Sequence, residues 1–343
     1  MKKQINDIMV KLVDRTINFF KEEIIFSISL ILAIISCFFA KPNINYINWE
    51  TIILLFVIMV FVEILKNLAV FEKLVRKLLT KIGNSRELVS LLVFSCFFSS
   101  IFITNDVSLI IFAPFSILAL KKVDRSDLII FTVCLQTIAA NVGCMVLPIG
   151  APHNIVMYTV SKIPFESFFL LLLPYIIVSV VFLAILLFFI SKDPINLPDM
   201  KNIEIDRHNF FKKVICGVDY YLLLTFIALF ILIGNLEHIS FFNSLFTESI
   251  VGNEVLWGVI SSQVISNVPA AMLLSGFSTN YEAIIVGINI GGFGTLIASM
   301  ANLISYKILV RECDEFKVRY LVILTVLNVI LLIILLAEYL LNI

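Results

Sequence analysis

Charge is scarce in this sequence. Only 15% of its 343 residues are Asp, Glu, Lys or Arg, where soluble domains carry about 25%. Hydrophobic residues make up 60%, and the mean hydropathy is +1.06. That shortage excludes an ordinary soluble domain. Several runs approach the ~20 apolar residues that cross a bilayer, so the chain reads as a polytopic, all-α membrane protein. No GxxxxGK[ST] occurs, which excludes an ATP-driven pump within this chain. No CxxC pair or His/Cys metal spacing occurs among the six cysteines, which read as small apolar core residues,. No Ser/His/Asp or paired-carboxylate constellation points to an enzyme; His153 near Asp106 is the nearest approach. Zero net charge gives no pointer to nucleic acid. No A-x-A site follows the first apolar run. Met1–Glu23 therefore reads as a basic, partly amphipathic cytoplasmic lead rather than a cleaved signal.

The apolar runs alternate between whole and interrupted. Ile24–Ala40 and Ile47–Leu65 read as spans joined by "KPNIN". The stretch 67–83 has charges at helical spacing and reads as interfacial. Residues 88–120 are apolar but broken at Thr104–Asp106, so each half is short for a full span. Residues 128–160 are broken by "NVGCMVLPIGAPHN", and Phe168–Ile190 is a clean span. After a polar loop over 191–218 the plan recurs: Tyr220–Gly234 spans, 235–254 is a mixed connection, 255–277 breaks at "SNVP", 281–306 breaks at "NIGGFGTLIASMAN", and Leu321–Leu341 spans.

Lysine and arginine set the threading. The stretches 1–23, 66–87, 121–127, 191–218 and 307–319 hold 23 of the 25; Lys41 and Lys162 lie on the other side. The positive-inside rule makes the first set cytoplasmic. Residues 88–120 then enter and leave on the cytoplasmic side, as a re-entrant hairpin. The hairpin over 255–277 has non-basic flanks and opens outward. The expected architecture is a pair of inverted-topology repeats, each with a re-entrant helical hairpin and a broken transmembrane helix. Residues 24–46 add an extra first helix. Repeat 1 covers 47–190 (hairpin 88–120, broken helix 128–160), a cytoplasmic linker covers 191–218, and repeat 2 covers 219–343 (hairpin 255–277, broken helix 281–306). The N-terminus is expected in the cytoplasm and the C-terminus outside, in the plasma or inner membrane.

The motifs repeat as well. "NVGCMVLPIGAPHNIVMY" aligns without gaps on "NIGGFGTLIASMANLISY": Asn141 meets Asn289, Gly143 meets Gly291, and Asn154 meets Asn302. The tip "TNDVSLIIFAPF" aligns on "SNVPAAMLLSGF", with Asn105 against Asn267. Backbone polar groups cannot stay unpaired in lipid, so non-helical backbone at membrane depth lines protein or a wet cavity. Gly143, Pro148, Gly150 and Pro152 in one break, and Gly291, Gly292 and Gly294 in the other, would unwind their spans. Inverted-repeat transporters build binding sites from such breaks; close helix packing is the plainer role for any single glycine.

The candidate binding residues are Thr104, Asn105, Asp106, Asn141, Gly143, Pro148, Gly150, His153, Asn154, Ser266, Asn267, Asn289, Gly291, Gly294, Thr295, Ser299 and Asn302. A sodium site is expected near Asn105, Asn141, Asn267 and Asn289. Asn105 and Asn267 either contact the solute or cap the hairpin helices. Asp106 is an intramembrane carboxylate and a functional candidate by default; its plainer role is to N-cap a helix over 107–120. His153 is a proton relay, a solute donor or a structural group. Cys144 lies inside a break, where a thiophilic metalloid could meet it. Glu63 and Lys66 read as a local ion pair with a snorkelling lysine.

These motifs resemble the ion transporter superfamily over about residues 24–340, and most closely its arsenite-permease-like and anion permease branch, beside the citrate transporter-like members. The resemblance implies a scaffold part and a transport part moving like an elevator. In the dicarboxylate symporters both tips read Ser-Asn-Thr and bind carboxylates and sodium. Here they read Thr104-Asn105-Asp106 and Ser266-Asn267-Val268. Asp106 puts negative charge where a carboxylate would sit, which weighs against a di- or tricarboxylate. The expected function is secondary active transport of a small anion or oxyanion-like solute such as arsenite or antimonite, coupled to protons or sodium. A sodium/proton antiporter is the alternative, and a channel or structural membrane subunit the reading from another class. Expected partners are an inorganic-ion or small-molecule substrate and the lipid bilayer, without nucleic acid; a homodimer and an external ATPase subunit stay open. No cofactor is expected beyond the coupling ion.

Overall fold

The polar interruptions coincide with breaks in helices. The structure is a computed structural model and describes residues 24–70, 73, 79, 82–195 and 209–341. The expected cytoplasmic lead, most of the interfacial stretch and linker residues 196–208 lie outside the described residues. Within them the chain is almost entirely helical, with no strand beyond a lone bridge between Asn84 and Pro194.

Fifteen α-helices are described. They are α1 (Ile24–Ser36), α2 (Trp49–Asn67), α3 (Ser85–Phe102), α4 (Asn105–Lys122), α5 (Ile129–Gly143), α6 (Pro152–Ser161), α7 (Phe165–Phe188), α8 (Phe210–Gly217), α9 (Tyr220–His238), α10 (Ser240–Ile250), α11 (Glu254–Ile265), α12 (Asn267–Phe277), α13 (Tyr281–Gly291), α14 (Met300–Glu312) and α15 (Lys317–Leu341). Local chemistry sets several boundaries. Asn48, Asp219 and Asn280 accept backbone N–H bonds at the starts of α2, α9 and α13. Asn84 caps α3 through the Glu87 N–H at 3.0 Å, while Glu87 reaches back to the Gly83 N–H at 3.0 Å, a reciprocal cap,.

Among the described residues, five helical stretches are long and apolar enough to cross a membrane: Ser85–Phe102, Ser126–Gly143, Phe165–Phe188, Phe210–His238 and Asp314–Leu341. Three expectations need correction. The arms around Thr104–Asp106 are each 18 residues, about 27 Å at 1.5 Å per residue, and so are not short. The expected connection over 235–254 is helical, continuing α9 and then forming α10. The polar loop over 191–218 contains α8. In these last two stretches polar residues mask short helices whose apolar faces are narrow.

The interrupted runs 88–120 and 255–277 each fold into a pair of packed helices. Ser99 of α3 and Ser108 of α4 share a hydrogen bond at 2.5 Å, and Ser108 Oγ donates to the Cys96 carbonyl at 2.9 Å. At the open end of this pair, the Ser85 N–H donates to the Asp193 carbonyl at 2.9 Å and Arg125 pairs with the Asp193 carboxylate at 2.6 Å. The open end of α11 and α12 is tied by Ser278 Oγ donating to Glu254 Oε1 at 2.8 Å. The second arm of each pair packs on the other half of the chain: α4 lies on α14, and α12 lies on α6.

Two apolar cores result. The larger joins α3–α5, α7, α11–α13 and α15. The smaller lies where Leu55 and Val62 of α2 and Phe226 of α9 meet Ile155 and Val156 of α6 and Met272 of α12. Lipid is as apolar as leucine, so close packing and polar pairing, more than burial itself, hold such helices together. Thr51 of α2 and Thr159 of α6 supply one such pair at 2.6 Å.

Candidate functional site

Two helices stop in mid-core, and their ends carry asparagines. α5 ends at Gly143; a 3₁₀ turn over Pro148–Gly150 follows, and α6 begins at Pro152. α13 ends at Gly291, and α14 begins after Ser299, which caps it through the Ala301 N–H at 3.3 Å. Asn141 Nδ2 donates to Asn302 Oδ1 at 3.0 Å, and Asn289 Nδ2 donates to Asn154 Oδ1 at 2.8 Å. Each break thus gives its first asparagine to the last asparagine of the other. The correspondence extends to the backbone. Asn154 Nδ2 donates to the Cys144 carbonyl ten residues earlier at 3.0 Å, and Asn302 Nδ2 to the Gly292 carbonyl ten residues earlier at 3.2 Å. All four amides are buried. A buried amide left unpaired costs about 1–3 kcal/mol, so this network fixes how the breaks sit against each other.

The tips join it unequally. Asn105 Nδ2 donates to Asn141 Oδ1 at 3.0 Å, and Ser299 Oγ donates to the same oxygen at 3.1 Å. Of the two roles open to the tip asparagines, N-capping is not the one seen: the cap positions are Thr104 and Ser266, neither of which makes a side-chain cap bond. Asn267 instead anchors its tip through its N–H to the Ala298 carbonyl at 3.0 Å. Its amide lies against Gly292, where an added Cβ would sit 3.2 Å from Nδ2. Ser266 is held at φ +72°, a region L-residues seldom adopt,.

Two serines and a glutamine were not singled out from the sequence. A Cβ on Gly143 would overlap Ser100 Oγ and the Phe97 carbonyl; one on Gly291 would meet the Gly258 carbonyl and Ser262 Oγ at 2.8 Å. Ser100 and Ser262 each precede the tip asparagine by five positions, and that shared spacing was the available signal. Gln263 holds the second break: its Nε2 donates to the Gly291 and Phe293 carbonyls at 2.8 Å each, and its Oε1 accepts from the Thr295 N–H at 2.8 Å. Gly294, at φ +116°, turns the chain there. In the first break Gly150 packs against the Cys144 backbone.

Asp106 and Asn105 are neighbours in sequence and diverge in space. The Asp106 N–H donates to Asn105 Oδ1 at 3.0 Å, but Asp106 lines a separate cavity with Thr104, Glu63, Lys66 and Asp219. It lies in the first turn of α4 and is not the N-cap expected of it. His153 is buried with Nε2 3.3 Å from Asn289 Oδ1, which puts it with the amides. Cys144 Sγ donates to the Asn141 carbonyl at 3.1 Å. The Glu63–Lys66 ion pair is present at 2.7 Å.

Residues 25–280 match the family described as "Citrate transporter". The chain belongs to the citrate transporter family. A transporter of Methanocaldococcus jannaschii, described as uncharacterized, is 31% identical over 317 residues, covering 82% of this chain and 87% of that protein. An inner membrane protein of Escherichia coli is 28% identical over 315 residues, covering 76% of this chain and 80% of that protein. A silicon efflux transporter of Oryza sativa subsp. japonica is 35% identical over 121 residues, covering 35% of this chain and 24% of that protein. This citrate transporter family chain is therefore a multi-pass membrane transporter, in line with its resemblance to the ion transporter superfamily.

Proposed function

We propose that the chain is a secondary active transporter of a small anion or oxyanion-like solute such as arsenite or antimonite, coupled to protons or sodium. The observation that carries this is the crossed pairing of Asn141 with Asn302 and Asn289 with Asn154. Amides present donors and acceptors together, which suits a solute bearing several hydroxyl or oxo groups. Such a solute bonds both kinds of group without needing a buried counter-ion. The similarity to a silicon efflux transporter supports the same chemistry, because silicon in water also travels as a hydroxylated species.

The same crossed bonds support an inverted repeat. Exchanging Asn141 with Asn289 and Asn154 with Asn302 converts one pair into the other, and Gly143–Ser100 into Gly291–Ser262. In this reading α3–α4 and α11–α12 are re-entrant hairpins that open to opposite sides, the N-terminus is cytoplasmic and the C-terminus outside. The breaks and tips move as one body against α2 and α9, in an elevator-like alternation. The candidate site comprises Asn105, Asn141, His153, Asn154, Ser266, Asn267, Asn289, Ser299 and Asn302.

The test is uptake of arsenite into proteoliposomes under imposed proton or sodium gradients. Saturable, gradient-driven uptake, lost in Asn141→Leu, supports the reading. Linear flux that never saturates would point instead to a channel. The seclusion of Asp106 in its own cavity favours a second reading, a sodium/proton antiporter in which Asp106 carries the exchanged ions. Acidification of everted vesicles that ignores sodium would reject it. Asp106→Asn is expected to abolish coupled transport in either case.

A further inference from the structure

Tyr320 lies in the first turn of α15 and is fully buried. Its hydroxyl reaches both broken helices. It donates to Ser305 Oγ of α14 at 2.7 Å and lies 3.2 Å from Thr137 Oγ1 of α5. Ser305 Oγ donates in turn to the Asn302 carbonyl at 2.8 Å. Thr137 sits one turn before Asn141, and Ser305 one turn after Asn302. Asn141 and Asn302 are themselves bonded at 3.0 Å. A closed ring results: the amide pair joins α5 to α14 at the breaks, and the tyrosine hydroxyl joins them again one turn further back. Thr137, Tyr320 and Ser305 carry three hydroxyl protons. A chain from Thr137 to Tyr320 to Ser305 to the Asn302 carbonyl uses each proton once. It ends on a carbonyl oxygen that passes no proton on, so it holds position rather than conducting.

The other crossed pair has no such chain. In the register that sets Asn141 against Asn289, Thr137 meets Ile285 and Ser305 meets Met157, both buried. Tyr306, on which the Tyr320 ring stacks at 6.4 Å, meets Tyr158, and that ring packs edge-on against Phe168 at 6.2 Å. All three hydroxyls are thus replaced by apolar side chains at once. A phenyl ring fills the space in one half of the chain, so the hydroxyl in the other half does more than fill space. Burying a hydroxyl is unfavourable unless it is bonded, and here its bonds lead to the site.

We propose that Tyr320 is a positioning residue for the Asn141–Asn302 pair, acting through Thr137 and Ser305. One contact between two helices fixes their separation. A second contact a turn away fixes their rotation as well. Rotation matters because an amide offers its donors and its acceptor in different directions, so a turn of the helix changes which one a solute meets. The bearing on the solute rests on reading the amides as its site; the bearing on the pair does not.

Tyr320→Phe removes the hydroxyl and keeps the ring. Neither neighbour is stranded, because Thr137 Oγ1 also reaches the Val133 carbonyl at 2.8 Å and Ser305 still donates to Asn302. The variant is therefore expected to fold. Thermal melts of the purified full-length protein form two double-variant cycles. Tyr320→Phe with Asn302→Ala is expected to lower the Tm by less than the two single shifts together, because the pair to be positioned has gone. With Asn154→Ala the shifts are expected to add. Any other pattern in the two cycles overturns the proposal. Arsenite uptake into proteoliposomes supplies the second readout. In Tyr320→Phe the KM is expected to rise about threefold or more with Vmax held within about twofold, the signature of lost binding alone. Thr137→Val is expected to do the same, and Thr137→Ser, which keeps the hydroxyl, to restore the KM. An unchanged KM in both Tyr320→Phe and Thr137→Val overturns the proposal. If the wild type takes up no arsenite, the transport reading fails, while the melt cycles still decide what positions the pair.

Discussion

The Asn141 amide donates to Asn302 Oδ1 at 3.0 Å although 161 positions separate the two residues. Truncating either to alanine strands the other amide in the core, at about 1–3 kcal/mol. Truncating both removes donor and acceptor together. The two effects are therefore not additive. In thermal melts of purified protein, Asn141→Ala and Asn302→Ala should each lower the Tm, and the double variant should melt well above the temperature that summing their shifts gives. A strictly additive double variant would mean that the pair is not coupled.

Gly143 and Gly291 mark where the broken helices press on the first arms of the helix pairs. A methyl on Gly143 meets the Phe97 carbonyl as well as Ser100 Oγ. The hydroxyl can be removed, but the carbonyl cannot move without its helix. Gly143→Ala should cost about 1–3 kcal/mol, as overpacking usually does. Adding Ser100→Ala should not restore it. Full recovery of the melting temperature in that double variant would show that the hydroxyl alone set the packing.

Much of this was legible before any coordinates. Gly, Pro and Asn punctuate apolar runs so strongly that helices end at or beside all four polar interruptions, and the asparagines of one break are bonded crosswise to those of the other. Direction was not legible. Asn105 and Asp106 are adjacent and equally polar, yet one faces the amides and the other a separate cavity. Ser100 and Ser262 were marked only by their shared spacing from the tip asparagines, and Gln263 not at all, since the roles of all three depend on which backbone atoms another helix brings near. The helices α8 and α10 escaped notice because each is too short and too polar to register against longer apolar runs.

Gln263 makes the second break differ from the first. It pairs with two carbonyls and one N–H of the unwound segment, and the corresponding position in the first pair, four before Asn105, is Ile101, which offers no equivalent group. Gln263→Leu should loosen the second break alone. Hydrogen–deuterium exchange over residues 291–299 should quicken at least tenfold, which corresponds to about 1.4 kcal/mol, while residues 143–151 keep wild-type protection. Equal loosening of both breaks would indicate global destabilisation rather than a local staple.

Asp193 ties the open end of α3 and α4 to the end of α7 through Arg125 and Ser85. The Ser191 hydroxyl, and then the Arg125 guanidinium, hold its carboxyl below the usual carboxylate range. A carboxyl whose folded pKa is depressed contributes stability that is fully present above its unfolded value, near 3.9, and is lost as pH falls through the folded value. Asp193→Asn removes the charge but keeps the backbone carbonyl that accepts from Ser85. The wild type should therefore melt above Asp193→Asn at pH 7, hold that lead down to about pH 5, and lose it progressively in stronger acid. A lead that survives unchanged to pH 3 would show that the side chain acts through packing and not through its charge.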